Sequence, residues 1–297
     1  MIIINDRKRQ VILTAQRLFI DKGFSTTSVQ DILDESCISK GTFYNYFSSK
    51  NECLIAILGH ARDEAAVRRR ELLIGQDLSD KNVLVEQILI RMHVNREQNL
   101  LPIYEAVFHS GDSDLRTYIK NMLLAEFSWL TRRLVDVYGK DAAPYAADCA
   151  VMLFGMMQQT LHVWSAVSKE EIDTSKLVNF LIRRIDSIIL GMISTKDAFF
   201  TEDVFFKLSS NVDEQTETKE QLLERLTGFS ELLGNDTLPA GKQYVEFLLD
   251  ELRSECPRVF VLESVIRSFR EAFKGSSHEP EAHELAHTVW RYTDTLD

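Results

Sequence analysis

Apolar residues return every three or four positions along almost the whole chain. Val11, Ile12, Ala15, Leu18 and Phe19 begin the series. Comparable spacing runs through "NVLVEQILIRMHV", "LPIYEAVFHS", "DLRTYIKNMLLAEFSWLTRRLVDVYG", "PYAADCAVMLFGMMQQTLHVWSAV" and "SKLVNFLIRRIDSIILGMI". A stripe with that period is buried by packing helix on helix. Only 12 Gly and 5 Pro interrupt 297 residues, which favours long helices over a turn-rich sheet fold. Between about residues 82 and 194 no convincing alternating β segment occurs, and breaks are expected at Pro102, Gly111, Gly139 and Pro144. The expectation is an all-α protein.

The first 50-odd residues carry the densest punctuation. Gly23 is a candidate left-handed terminator for the first helix. Thr27 followed by Gln30 has capping-box spacing, and Val29, Ile32 and Leu33 form the buried stripe of a short second helix. After a break at Ser36–Cys37–Ile38, Ser39 can cap a third short helix. Ser49 with Glu52 is a second capping box, opening a long fourth helix. Further on, "SSNVDEQTETKE" (209–220) reads as a polar linker. Four helical stretches follow it, divided by "GNDTLPAG", by Pro257 at an expected first helical position, and by "KGSSHEP".

Charge sorts along the same lines. The chain carries formal net charge −11. Residues 1–50 hold seven Lys/Arg and five Asp/Glu, net +2, whereas residues 211–297 hold nine and eighteen, net −9. An acidic body discourages indiscriminate binding to nucleic acid and still leaves a local face able to dock on it. That face is sought in "ISKGTFYNYFSSK" (38–50), which has no acidic residue. Wound at 100° per residue, Phe43 and Phe47 fall about 40° apart with Tyr46 flanking, whereas Gly41, Tyr44 and Asn45 take the opposite arc. Lys40 can swing its charge outward on its long stem. Glycine inside a helix costs about 0.5–1 kcal/mol against alanine, which makes sense where another backbone approaches closely. Lysine supplies charge, asparagine can read base edges, and tyrosine offers a phosphate hydrogen bond and apolar contact with thymine. Short helix, tight turn and second short helix with such a face form a helix-turn-helix arrangement.

The run "FSTTSVQDILDESCISKGTFYNYFSSKNECL" (24–54) resembles the signature of TetR-family transcriptional regulators. The matching positions are Phe24, Thr27, Ser28–Val29, Ile32, Ser39, Gly41–Thr42, Tyr44, Tyr46–Phe47, Lys50 and Leu54, with Ala15, Leu18–Phe19 and Gly23 in the preceding helix. Cys37 stands where the family usually has glycine, and Leu33 where alanine is common. A non-glycine residue in a left-handed turn is strained. The resemblance implies a cytoplasmic homodimer whose two recognition helices enter successive major grooves of a partly palindromic, double-stranded operator. Lys40, Gly41, Tyr44 and Asn45 would face bases and nearby backbone. Thr27, Ser28, Thr42, Tyr46 and Lys50 would grip phosphates, and Ser39 belongs to the same face. With it the chain is expected in three blocks: a DNA-binding domain at 5–60, a helical effector-binding and dimerisation domain at 61–208, and an acidic helical extension at 209–297, longer than this family usually carries. The helices at about 144–167 and 175–194 would form the dimer's four-helix interface. A small, largely apolar effector would be lined by Phe108, Met122, Phe127, Trp129, Phe154, Met157, Gln158 and His162, and would release the repressor. The extension, with Leu222, Leu223, Leu226, Phe229 and Leu233, then Val265, Ile266, Phe269 and Phe273 at helical spacing, is expected to fold and to pack on the effector domain or a partner subunit, away from the DNA.

One motif competes. "HELAH" (283–287) matches the H-E-x-x-H pattern of zinc peptidases, with His283 and His287 on one helical face and Glu284 as a general base. Only ten residues follow His287; they offer Asp294 and Asp297 but no further histidine as a third ligand. No enzyme, catalytic residue, metal or cofactor is expected. The four scattered cysteines, Cys37, Cys53, Cys149 and Cys256, form no C-x-x-C pair and are expected as reduced thiols. No apolar run approaches the roughly 20 residues of a membrane helix, so no membrane partner is expected.

Overall fold

The computed structural model describes residues 2–109, 112–168, 170–200, 218–234, 239–254 and 256–293. Its elements among these residues are helical: α1 (Ile2–Asp21), α2 (Val29–Ser36), α3 (Lys40–Tyr46), α4 (Lys50–Leu73), α5 (Lys81–Glu97), α6 (Leu101–His109), α7 (Ser113–Tyr138), α8 (Ala143–Val167), α9 (Thr174–Thr195), α10 (Lys219–Leu232), α11 (Pro239–Arg253), α12 (Val259–Phe273) and α13 (Glu279–Thr293), with a single 3₁₀ turn at Lys140–Ala142. The all-α expectation holds. Two compact units emerge, one of Met1–Gln16, Gln30–Ser48 and Gln215–Asp297, the other of Arg17–Val29 and Ser49–Glu214.

The second unit is built on α4–α9. Acidic side chains open its helices: Asp80 accepts from the Asn82 N–H at α5, Asp112 from the Asp114 and Leu115 N–H groups at α7, and Asp173 from the Lys176 N–H at α9. Leu177, Leu181, Ile185 and Ile189 recur every fourth residue on the buried side of α9. They meet Leu84 and Ile88 of α5, Leu130 and Leu134 of α7, and Ala146, Cys149, Ala150 and Leu153 of α8 in one apolar core. Truncating one of these to alanine costs about 2–5 kcal/mol, because the cavity left behind closes only in part.

In the first unit α10–α13 form a four-helix module in which each helix packs on the next and α13 returns to α10. Phe229, Phe269, Phe273 and Trp290 fill its centre. Thr218 and Gln221 form a full capping box at α10, so the helix begins inside the stretch read as linker. Positions 209–217 of that stretch lie outside the described residues. At α12 the N-cap is Arg258 and the first helical residue is Val259, not Pro257. The Glu251 carboxylate accepts from the Arg258 N–H at 2.7 Å and from its guanidinium, which holds residue 258 extended and starts the helix two residues later than expected. Gly241 is required here, since a Cβ would lie 2.9 Å from the Phe273 ring.

Candidate nucleic-acid interface

The turn between α2 and α3 is closed by the Ile38 N–H donating to the Leu33 carbonyl at 3.1 Å. Cys37 occupies it with φ 53°, the left-handed conformation expected to strain a non-glycine residue. Ser39 then caps α3, its hydroxyl accepting from the Thr42 N–H at 3.1 Å and lying 2.9 Å from the Thr42 hydroxyl. Seven residues follow as helix, and Phe47 ends it in an extended conformation.

The two sides of α3 separate as the winding predicts. Phe43 and Phe47 are fully buried with ring centroids 5.6 Å apart, and the Lys8 ammonium lies 5.4 Å from the Phe47 ring centre. Lys40, Gly41, Tyr44 and Asn45 are exposed; Thr42 and Tyr46 are half-buried and Ser28 is exposed. A Cβ built on Gly41 would touch nothing nearer than the Ser39 hydroxyl at 3.8 Å. The protein itself therefore does not demand glycine there.

Two residues of the expected face are used differently. Thr27 is buried, and its hydroxyl donates to the Gly23 carbonyl at 2.8 Å and reaches the Leu18 carbonyl at 3.2 Å. It neither caps α2, which begins at Val29, nor pairs with Gln30, whose amide donates to Asp34. The Lys50 ammonium donates to the Phe24 and Thr27 carbonyls, both at 2.7 Å, and stands 4.4 Å from the Phe24 ring centre. Lys50 thus ties the loop after α1 to the first turn of α4. Next to it, the Asn51 amide donates to the Asp112 carboxylate at 2.6 Å, joining that turn to the cap of α7. Ser49 caps α4 by accepting from the Glu52 N–H.

The expected effector-lining residues are dispersed. Phe108 lies outside the residues whose side chains are described. Phe127 and Phe154 stack edge-on at 5.1 Å. Trp129 lies under the Arg69 guanidinium at 3.6 Å, and the Met122 sulfur accepts from Arg91 at 3.4 Å. Met157 packs half-buried on the core, whereas Gln158 and His162 are exposed along α8. What the sequence reading missed is polar. Arg69 binds both Glu126 oxygens at 3.0 and 2.5 Å and donates to the Gln87 carbonyl. Arg133 joins the Gln87 side chain, Asp136 and the Leu78 carbonyl. Burial would raise the Glu126 carboxyl, but the charge and hydrogen bonds of Arg69, with Arg91 adding, hold it below its ordinary value. The available signal was arginine placed within apolar helical runs, as in "ILIRMHV".

In the "HELAH" stretch on α13, Glu284 pairs with Arg225 at 3.1 Å and His287 is buried. Among the described residues no group of three or more His, Cys, Asp and Glu side chains is placed to hold a metal ion. No described helix is long and apolar enough to cross a membrane.

A tight left-handed turn joining two short helices, the second with a buried aromatic side and an exposed polar one, defines a helix-turn-helix DNA-binding protein. The profile of the bacterial regulatory proteins of the tetR family matches residues 11–57. The HTH-type transcriptional regulators YerO and YuxN of Bacillus subtilis (strain 168) are 26% and 25% identical to the chain. YerO aligns over 89% of the chain and 89% of its own length, YuxN over 91% and 94%. The HTH-type transcriptional activator FasR of Mycolicibacterium smegmatis is 30% identical over 48% of the chain and 57% of its own length. No solved structure matches. These likenesses support a TetR-family transcriptional regulator whose DNA-binding domain includes residues 11–57. The span of the two Bacillus matches means that the α10–α13 region has counterparts in those relatives.

Proposed function

We propose that this regulator is a cytoplasmic homodimeric repressor that binds a partly palindromic operator through α3 and leaves it when a small molecule enters the α4–α9 unit. The observation that carries the reading is the division of α3 into a buried aromatic side and an exposed side of Lys40, Gly41, Tyr44 and Asn45. In this reading those four meet bases and adjacent backbone, and Ser28, Ser39, Thr42 and Tyr46 supply or shape phosphate contacts. Thr27 and Lys50 act from behind by fixing the loop that precedes α2. The three functional blocks run 5–60, 61–208 and 209–297.

Dimerisation through α8 and α9 is supported by their exposed apolar side chains. Val163, Trp164 and Val167 on α8 are 49%, 38% and 77% exposed, and Phe180 and Leu190 on α9 are 48% and 64% exposed. The two helices pack on each other, so two copies would close a four-helix interface. Sedimentation equilibrium tests this: the wild type is expected as a dimer, and Val167→Lys combined with Leu190→Glu as a folded monomer with weakened operator binding. A wild-type monomer that binds operator fully would refute it. A promoter reporter separates repression, the expected result, from activation.

A further inference from the structure

We propose that the effector is an amphipathic carboxylate whose anionic head is held by Tyr118 and Arg91 inside the α4–α9 unit. This rests on the effector reading above and replaces a largely apolar ligand with one bearing a charged end.

Tyr118, Met122 and Glu126 follow one another at four-residue intervals along α7 and so share one stripe of the helix. Arg62 of α4, Arg91 of α5 and Tyr104 of α6 gather around that stripe. Arg91 donates to the Tyr104 hydroxyl at 3.1 Å and to the Met122 sulfur at 3.4 Å, and the charges of both Arg62 and Arg91 act on Tyr118. The carboxylates of the cluster are already committed. Glu126 is taken by Arg69, and Asp63 binds Arg62 at 3.1 Å. Among the described residues no carboxylate is hydrogen-bonded to Arg91, which donates from one nitrogen to a phenol and a thioether and whose charge also acts on Glu126.

The Tyr118 hydroxyl is buried and has no hydrogen-bond partner among the described residues. Burial pushes its pKa up to about 12, with Arg62 opposing, so the phenol stays protonated and offers a donor. Gly59 on α4 lies beside it, where a Cβ would be 3.5 Å from the phenolic oxygen. A buried phenol and an incompletely used guanidinium together call for an acceptor with negative charge. Among the described residues Arg91 makes the cluster one cation richer than its two carboxylates, Asp63 and Glu126. A carboxylate would satisfy both donors. The apolar body of the ligand would follow α7 past Met122 toward the paired Phe127 and Phe154 rings, which are half-buried.

The test uses the full-length protein with decanoate, 1-decanol and inorganic phosphate as probes. Binding is followed by calorimetry and thermal unfolding, and operator release by fluorescence anisotropy. Decanoate is expected to bind, to raise the melting temperature and to release DNA. Decanol and phosphate should each bind about tenfold more weakly or worse, since each lacks half of the recognition. Y118F and R91M should each lose about tenfold or more in decanoate affinity. Y118F should melt no lower than wild type, because it removes a hydroxyl with no partner; a hydroxyl of purely structural importance would lower it. Equal binding of decanol and decanoate, or unchanged decanoate affinity in both variants, overturns the head-group assignment and leaves the effector reading standing. Failure of all three probes to bind also overturns the proposal. Tight decanoate binding that never releases DNA would uphold the anion site and defeat the effector reading instead.

Discussion

Gly41→Ala separates what the fold needs from what the DNA needs. Gly41 is the second residue of α3 and is exposed. An added methyl would meet only the Ser39 hydroxyl, at the ordinary contact distance of 3.8 Å. Alanine also has the better helix propensity, by about 0.5–1 kcal/mol. For a protein of this size that corresponds to a melting temperature higher by about 1–4 °C. If a phosphate or sugar approaches the α3 backbone at this point, the same methyl stands in its way. Operator affinity should then fall by about tenfold or more, equivalent to about 1.4 kcal/mol. The two signs are opposite, so general damage to the fold cannot imitate the result. Melting by circular dichroism and operator titration by fluorescence anisotropy give both numbers. Unchanged or improved affinity would refute close approach at Gly41, and a lowered melting temperature would refute the account of local space.

Lys50→Met should lower stability by about 1.5–3 kcal/mol through loss of two charged hydrogen bonds and lower operator affinity with the salt slope unchanged. A slope reduced by about one with melting unaffected would instead mark a direct phosphate contact. Asp112→Ala should cost about 0.5–2 kcal/mol by removing the cap of α7, and should speed amide exchange at residues 114–115, where Asp112 now accepts both N–H groups. Glu126→Gln should destabilise by about 3–5 kcal/mol at neutral pH, because Arg69 is left buried without its counter-charge. Since the folded-state pKa of Glu126 lies below its ordinary 4.5, that contribution is complete above the unfolded value and disappears as pH falls through the folded one. Denaturant midpoints between neutral and acid pH should therefore converge for the wild type and Glu126→Gln.

Local signals were the most legible part of this sequence. Helix spacing, the Ser39 and Ser49 caps, the strained Cys37 turn and the two sides of α3 all depend on residues within a turn or two of each other, and all appear as expected. Thr27 misleads for a physical reason. A threonine three residues before glutamine has capping-box spacing, yet the hydroxyl turns back to the Leu18 and Gly23 carbonyls, in the last turn of α1 and just beyond it. Lys50 misleads likewise, because its partners lie 23 and 26 residues away. The polar cluster around Tyr118, Arg91 and Glu126 draws one to three residues from each of four helices. No single window of sequence contains it, and its arginines resemble the ordinary charged side of a helix until the helices pack.

The central claim is that the exposed side of α3 reads DNA sequence, and selection of bound duplexes from random DNA tests it most directly. The wild type is expected to enrich a site of two inverted half-sites. Repeating the selection with Tyr44→Ala and with Asn45→Ala should change the preferred base within each half-site while the half-site spacing is kept, each lost base contact being worth about 1–3 kcal/mol. Enrichment of no site, or of a site whose base preferences neither substitution alters, would contradict the account.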